Sequence, residues 1–268
     1  MAQSGFVNAR TKLKMTNRID NVAAWLPSCE SRETVRINMP HVPIYVRLTA
    51  EGLGFGAAPD PFDHRLSRAM SEVTRHLVSL SGAVCGFTWG GEVSLAFYNE
   101  DMTSRPFFDT NRYRLISILS SLATAKLIQQ IPECLKRDLP SVSGRMYEVP
   151  SPSGLIDVLL WREQECEVTA LRAIFRKSCP PPLLDDLNRL TRGEIRAMVD
   201  MLVRSGADLS QYPGAFRHGT VVRNGGIAAV LDMPLSSIQN RSGVIFRGER
   251  PVTSSAPLSA GGNAYASA

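Results

Sequence analysis

An α+β fold of order βαββαβ is predicted by three observations. Four runs of β-branched or alternating residues, bounded by turn residues, read as strands. Two long segments between them carry apolar residues at helical spacing. The middle two strands are joined through a pair of glycines, the signature of a hairpin.

The elements follow in order. Ile44–Ala50 (IYVRLTA) is the first strand. Arg65–Leu80, with Leu66, Ala69, Met70, Val73 and Leu77 at helical spacing, is the first long helix. Ala83–Thr88 and Val93–Tyr98 are strands joined by Trp89-Gly90-Gly91-Glu92. Arg112–Gln130 is the second helix, with Leu115, Ile118, Leu119, Leu122 and Ile128. Arg145–Val149 is a fourth strand before Pro150. This is the split βαβ, or ferredoxin-like, unit. Both helices pack on one face of an antiparallel sheet, and the other face is expected to be free for ligands.

The remainder reads as a helix-rich C-terminal extension. Asn21–Leu26 gives one short helical turn ahead of the sheet. Leu155–Phe175 is a long helix bearing Leu159, Trp161, Cys166 and Leu171, stopped by Cys179-Pro180-Pro181-Pro182. Thr191 and Glu194 fit a capping box for a helix Glu194–Arg204, with Gly206 as its C-cap. Pro251–Ala268 is rich in Ser, Ala and Gly and is expected to be disordered.

Composition narrows the function classes. The chain has 268 residues, 44% hydrophobic, enough for one large domain or one and a half. It has no apolar run near the ~18 residues that would mark a membrane span. Met1–Met15 is polar and basic, so no cleaved secretion signal is expected. Five cysteines, an odd number without metal-like spacing, read as reduced thiols of a cytoplasmic protein, with Cys85 and Cys166 in the core. The net charge of +5 suits a phosphate-rich partner without identifying one. The four histidines are scattered and receive no metal role. Neither a P-loop nor a nucleophile elbow is present.

Two segments carry candidate chemistry. Glu51 ends the first strand, followed by Gly52-Leu53-Gly54-Phe55-Gly56. Glu92 enters the third strand after Gly90-Gly91. In this topology those strands are neighbours, so the two carboxylates approach each other. Mg²⁺ takes such oxygens, together with a backbone carbonyl, waters and phosphates. Two such metals would activate an attacking hydroxyl and stabilise a leaving pyrophosphate. The glycine run can turn its N–H groups toward a triphosphate. This is the layout of a polymerase-type palm. Gly-rich turns after strands are common, however, and exposed glutamates are ordinarily just solvated, so the bland reading stays open.

Five segments, in order along the chain, resemble the tRNA-His guanylyltransferase family and its relatives that add nucleotides in the 3′-to-5′ direction. Glu51-Gly52-Leu53-Gly54-Phe55 resembles the family's D-G-R-x-F turn. Glu92-Val93-Ser94-Leu95-Ala96-Phe97 resembles the strand containing E-Y-S-F. Phe108 to Ala125, with Arg114 at the family lysine, resembles the F-x-R-R-x-S-K helix. Leu159 to Cys166 (LLWREQEC) resembles Y-L-x-W-R-Q-x-D-C. Arg217-His218-Gly219-Thr220-Val221-Val222 resembles R-K-G-T-x-V. Gly90-Gly91-Glu92 is also similar to the hairpin of GGDEF-type nucleotide cyclases, a resemblance that the later helix does not share.

The family resemblance implies Mg²⁺-dependent transfer of a nucleotide, from GTP or ATP, to the 5′ end of a tRNA by a homo-oligomer. Glu51, the Gly52 carbonyl and Glu92 would hold the metal, with Glu51 and Glu92 catalytic. Gly52, Leu53, Gly54, Phe55 and Arg114 would bind the triphosphate. The departures imply an alternative, a catalytically inactive palm that binds nucleotide, RNA or protein. The second metal aspartate falls on Gly91. Another register puts Thr49 at the first. The family's H-I-x-N becomes Glu167-Val168-Thr169-Ala170. The expected organisation is an N-terminal arm (1–20), a palm-like nucleotide-binding domain (21–150), a helical part of the same domain (151–225) and a tail (226–268).

Overall fold

The computed structural model describes residues 22–26, 42–52, 62–98, 112–132, 139–178, 195–204, 206–225, 228–231 and 233–253. In chain order the elements are α1 (Val22–Trp25), β1 (Ile44–Glu51), α2 (His64–Ser81), β2 (Cys85–Trp89), β3 (Glu92–Phe97), α3 (Arg112–Gln130) and β4 (Ser141–Glu148). There follow α4 (Pro152–Ser178), α5 (Ile195–Arg204), α6 (Gly214–His218), β5 (Thr220–Arg223), β6 (Ala229–Leu231) and α7 (Arg241–Phe246). Short 3₁₀ turns lie at Leu209–Gln211 and Leu235–Ser237.

The βαββαβ core is present, and all its strand pairs are antiparallel. The sheet is larger than expected: six strands in the order β4-β1-β3-β2-β5-β6. The extra two come from the part read as helical and from the part read as a tail. β5 pairs with β2, and β6 pairs with β5. The stretch from 226 on therefore belongs to the folded body as far as Thr253, where a bridge to Ile238 closes it. Residues 1–20 and 254–268 lie outside the described residues, as do the proposed stop at Cys179–Pro182 and the capping pair Thr191 and Glu194.

Local rules account for the element ends. Asp63 caps α2, its carboxylate accepting from the Arg65 and Leu66 N–H groups, and Gly82 closes the helix at φ 73°. Beyond α5, the Gly206 N–H donates to the Val203 carbonyl and the Ala207 N–H to that of Leu202. This is the double bond pattern of a Schellman cap, with Gly206 at φ 83°.

The period-two alternation of β1 divides the interior. Ile44, Val46 and Leu48 face α2 and α3, meeting Val73, Leu77, Leu115 and Leu119. Tyr45 points the other way, joining Cys85, Phe87, Ala96 and Tyr147 beneath α4 and α7. That second face is thus not free, as the ferredoxin-like order suggested. Leu155, Leu159, Val244 and Ile245 cover much of it. The distal half of α4 forms a third cluster with Leu202 and Phe216. Cys85 and Cys166 are buried free thiols, as expected of core positions.

Gly86 shows how tightly α2 is seated. A Cβ there would lie 2.6 Å from Thr74 Cγ2 and 2.7 Å from Val78 Cγ2. Both neighbours are β-branched helix residues with little rotamer freedom. Gly86→Ala is expected to lower stability by about 1–3 kcal/mol through overpacking. An unchanged midpoint in urea unfolding would contradict it.

Candidate functional site: an arginine-clamped carboxylate

Strand parity puts the candidate residues on the α4 side of the sheet. Along β1, Tyr45, Arg47, Thr49 and Glu51 share this face. In register, Arg47 faces Ser94 on β3 and Arg145 on β4, while Thr49 faces Glu92 and Ser143. Residues directly opposite one another point to the same side. One continuous patch therefore holds Arg47, Arg145, Glu92, Thr49 and Ser143, with α4 bringing Arg162 in from above.

Glu92 is placed by a two-residue hairpin. Gly90 takes the left-handed conformation at φ 55°, which lets Trp89 and Glu92 pair directly. The Thr88 hydroxyl donates to the Glu92 carbonyl at 2.7 Å, and the Ala50 N–H donates to the Gly91 carbonyl at 2.8 Å. Trp89 Nε1 donates to the Phe216 carbonyl at 2.7 Å, fastening the hairpin to α6. The backbone at Glu92 is accordingly rigid.

Its carboxylate is held by two guanidiniums. Arg47 donates to Oε2 through Nε at 2.8 Å and again through Nη2. Arg162 Nη2 lies 2.5 Å from Oε1, close enough for a full ion pair although it falls off the hydrogen-bond direction. The Arg162 and Glu92 side chains are only 10% and 13% exposed. Burial works against the Arg47 charge, but the neighbouring Glu92 outweighs it and raises the Arg47 pKa. Below the clamp, the Tyr45 hydroxyl and Ser94 Oγ are 3.0 Å apart. Burial pushes the Tyr45 phenol up to about 12, which keeps it neutral.

The two candidate carboxylates differ sharply. Glu51 is exposed at the end of β1, accepting from Ser143 Oγ at 3.3 Å. Gly52 follows at φ 68°, a value that favours glycine, with its α-carbon facing the Leu139 carbonyl. Glu51 and Glu92 share a face, but Glu51 lies two residues beyond Thr49, roughly 7 Å along the strand. Thr49, not a carboxylate, stands across from Glu92.

Mg²⁺ needs carboxylate oxygens free to coordinate. Here one of the pair is committed to two arginines, and Gly91 beside it offers no side chain. Among the described residues no three His, Cys, Asp or Glu side chains gather in a metal-binding group. The described residues thus do not fit a site built on both carboxylates. Leu53, Gly54 and Phe55 lie outside the described residues. Arg114 is exposed on α3, which packs against the opposite face of the sheet, so the structure does not bring it to Glu92.

The later motifs acquire definite places. Trp161-Arg162-Glu163 delivers Arg162 to Glu92, joining two segments whose only link in sequence is the family resemblance. Glu163, 4% exposed, accepts from the Leu235 and Ser236 N–H groups at 2.5 and 2.9 Å. Val168 and Ala170 are buried in the third cluster, so Ala170 contributes packing at the position aligned with the N of H-I-x-N. Gly219, at φ 76°, lets the Phe87 ring approach; a Cβ would meet Phe87 Cζ at 2.4 Å. His218 is pushed down to about 4 by burial and by Arg217, so it is neutral at pH 7.

Arg47 and Arg145 are not singled out by motif reading. Their signal is a positive charge at the middle of an otherwise alternating strand, IYVRLTA and SVSGRMYE. A charge on a covered face needs a partner, and that need could have pointed to Glu92.

Comparison with known proteins accords with this fold. Residues 30–150 match the family model of tRNAHis guanylyltransferase. No curated protein sequence matches the chain. A bacterial tRNA(His) guanylyltransferase (Thg1)-like protein in complex with ATP shares 21% identity and a TM-score of 0.64, over 78% of this chain and 92% of that one. The corresponding protein in complex with GTP shares 20% identity and a TM-score of 0.58, over 75% and 89%. The tRNA(His) guanylyltransferase from Saccharomyces cerevisiae shares 16% identity and a TM-score of 0.61, over 76% and 93%. Over residues 30–150 the chain is tRNAHis guanylyltransferase-like in sequence, and it shares with these structures a palm-type fold that runs well beyond that segment.

Proposed function

We propose that this protein binds a nucleoside triphosphate, GTP or ATP, on the α4 side of its sheet and does not transfer the nucleotide. The reading is supported by the family match and by the nucleotides named with two of the structural neighbours. One observation supports the loss of transfer: the Glu92 carboxylate is held by Arg47 and Arg162, opposite Thr49. Phosphoryl chemistry is mostly positioning and charge stabilisation, so a site can keep its substrate affinity and lose its rate. tRNA as the macromolecular partner and self-association in the cytoplasm belong to the same reading, on the family likeness alone.

A second reading is Mg²⁺-dependent transfer to the 5′ end of a tRNA. It draws on Glu51, exposed on the same face next to Gly52. It requires Glu92 to leave both arginines.

Purified protein incubated with 5′-processed tRNA, labelled GTP or ATP, and Mg²⁺ separates the two. The expected result is saturable nucleotide binding by calorimetry and no label in the tRNA. Incorporation that Glu51→Gln abolishes would establish the second reading instead.

A further inference from the structure

Three guanidiniums and one carboxylate share the patch described above. Arg47 and Arg145 are direct cross-strand partners, and Arg47 and Arg162 both bind Glu92. Like charges placed opposite one another on a sheet repel. Glu92 offsets one of the three, leaving the patch two charges positive, the charge of a single divalent cation. Glu51 at the strand end is exposed, accepts from Ser143 Oγ, and acts on the arginines largely through solvent.

Arg145 is the open member of the group. It is exposed, on the same face as Arg47 and Tyr147, and no hydrogen bond or ion pair engages it among the described residues. Ser143 and Thr49 lie one pleat further along the same face and bring two hydroxyls. A planar guanidinium beside the Thr49 hydroxyl suits the oxygens of a phosphate chain, which Arg binds through paired N–H groups. A cation arriving at Glu92 would instead meet two guanidiniums already seated on that carboxylate.

Resting on the reading that this face binds a nucleotide, we infer that it binds the triphosphate without a divalent cation, with Arg145, Arg47 and Arg162 supplying the positive charge that a metal would otherwise bring. The substrate class is a nucleoside triphosphate in its metal-free form. Binding neutralises the Arg47–Arg145 pair from the open side, while Glu92 continues to hold the inner ends of Arg47 and Arg162.

The test uses full-length protein, with GTP and inorganic tripolyphosphate as probes, titrated in EDTA and separately in excess Mg²⁺. Both probes are expected to bind in EDTA at least as tightly as in Mg²⁺. Arg145→Gln should weaken binding about tenfold or more, the loss of a charge-assisted contact, with its melting temperature unchanged because the side chain is exposed. Glu51→Gln should tighten binding in EDTA, since it removes a negative charge from the approach to the patch. Binding seen only in Mg²⁺ and weakened by Glu51→Gln would overturn the inference while leaving the nucleotide-binding reading intact. No binding in either condition by well-folded protein would overturn both.

Discussion

Arg162→Ala is expected to destabilise the fold by about 3 kcal/mol, near the lower end of the cost of breaking a buried ion pair from one side. Arg162 comes from α4, while Glu92 opens β3, so the pair joins the helix to the sheet. With Arg162 gone, Glu92 Oε1 stays buried without a counter-charge, and Arg47 still satisfies only Oε2. The loss falls short of the full cost because Arg47 remains and its side chain is 37% exposed, so water reaches part of the site. A double variant, Arg162→Met with Glu92→Gln, removes both charges and should recover part of the stability, Arg47 losing its carboxylate but being 37% exposed. Urea unfolding of the single and double variants checks this. Equal loss in both would mean that packing around Trp161 and Cys166, not charge, is what Arg162 supplies.

Glu163→Ala should cost about 1–3 kcal/mol by stranding the buried Leu235 N–H donor and loosening the part-buried one of Ser236. Its effect should be local. Hydrogen exchange should quicken across 233–246, because Glu163 ties that stretch to α4, and should change little in β1 or β3. Glu163→Gln should be milder, since an amide oxygen can still accept. Burial raises the Glu163 carboxyl pKa, an effect its N–H donors only partly offset. A carboxyl raised in the folded state contributes stability below its unfolded pKa and loses it as pH rises through the folded value. Wild-type stability should therefore decline over that interval above the ordinary carboxyl range, and Glu163→Gln should flatten the decline. An identical pH profile for the two would show that Glu163 does not titrate differently on folding.

The legible parts of this fold are those whose signal is local. IYVRLTA alternates, and it forms β1. The apolar spacing in Arg65–Leu80 gives α2 to within a residue at each end, and Arg112–Gln130 is α3 as read. β4 starts four residues before the expected Arg145, because Ser141–Gly144 has little strand propensity and is recruited by pairing with β1. β5 and β6, at four and three residues, are too short to show a period, and the edge of β2 makes them strands. The site divides in the same way. Motif spacing singles out Glu51, Gly52 and Glu92 as candidates, and the register places Glu51 and Glu92 on one face. It does not reveal that Glu92 is already engaged, since its partners stand 45 residues before it and, on α4, far after it.

The late arrival of β5 has a consequence for synthesis. Translation delivers the four-stranded core and α4 first, while the outer edge of β2 and the cluster between sheet and α4 await residues 220–246. Until those residues emerge, the nascent protein presents an unpaired strand edge beside an apolar cluster that still lacks Val221, Leu235, Val244 and Ile245, a combination prone to sticking. The closing segment thus works as a built-in cover, and a ribosome stalled before codon 220 would release a chain that depends on chaperones.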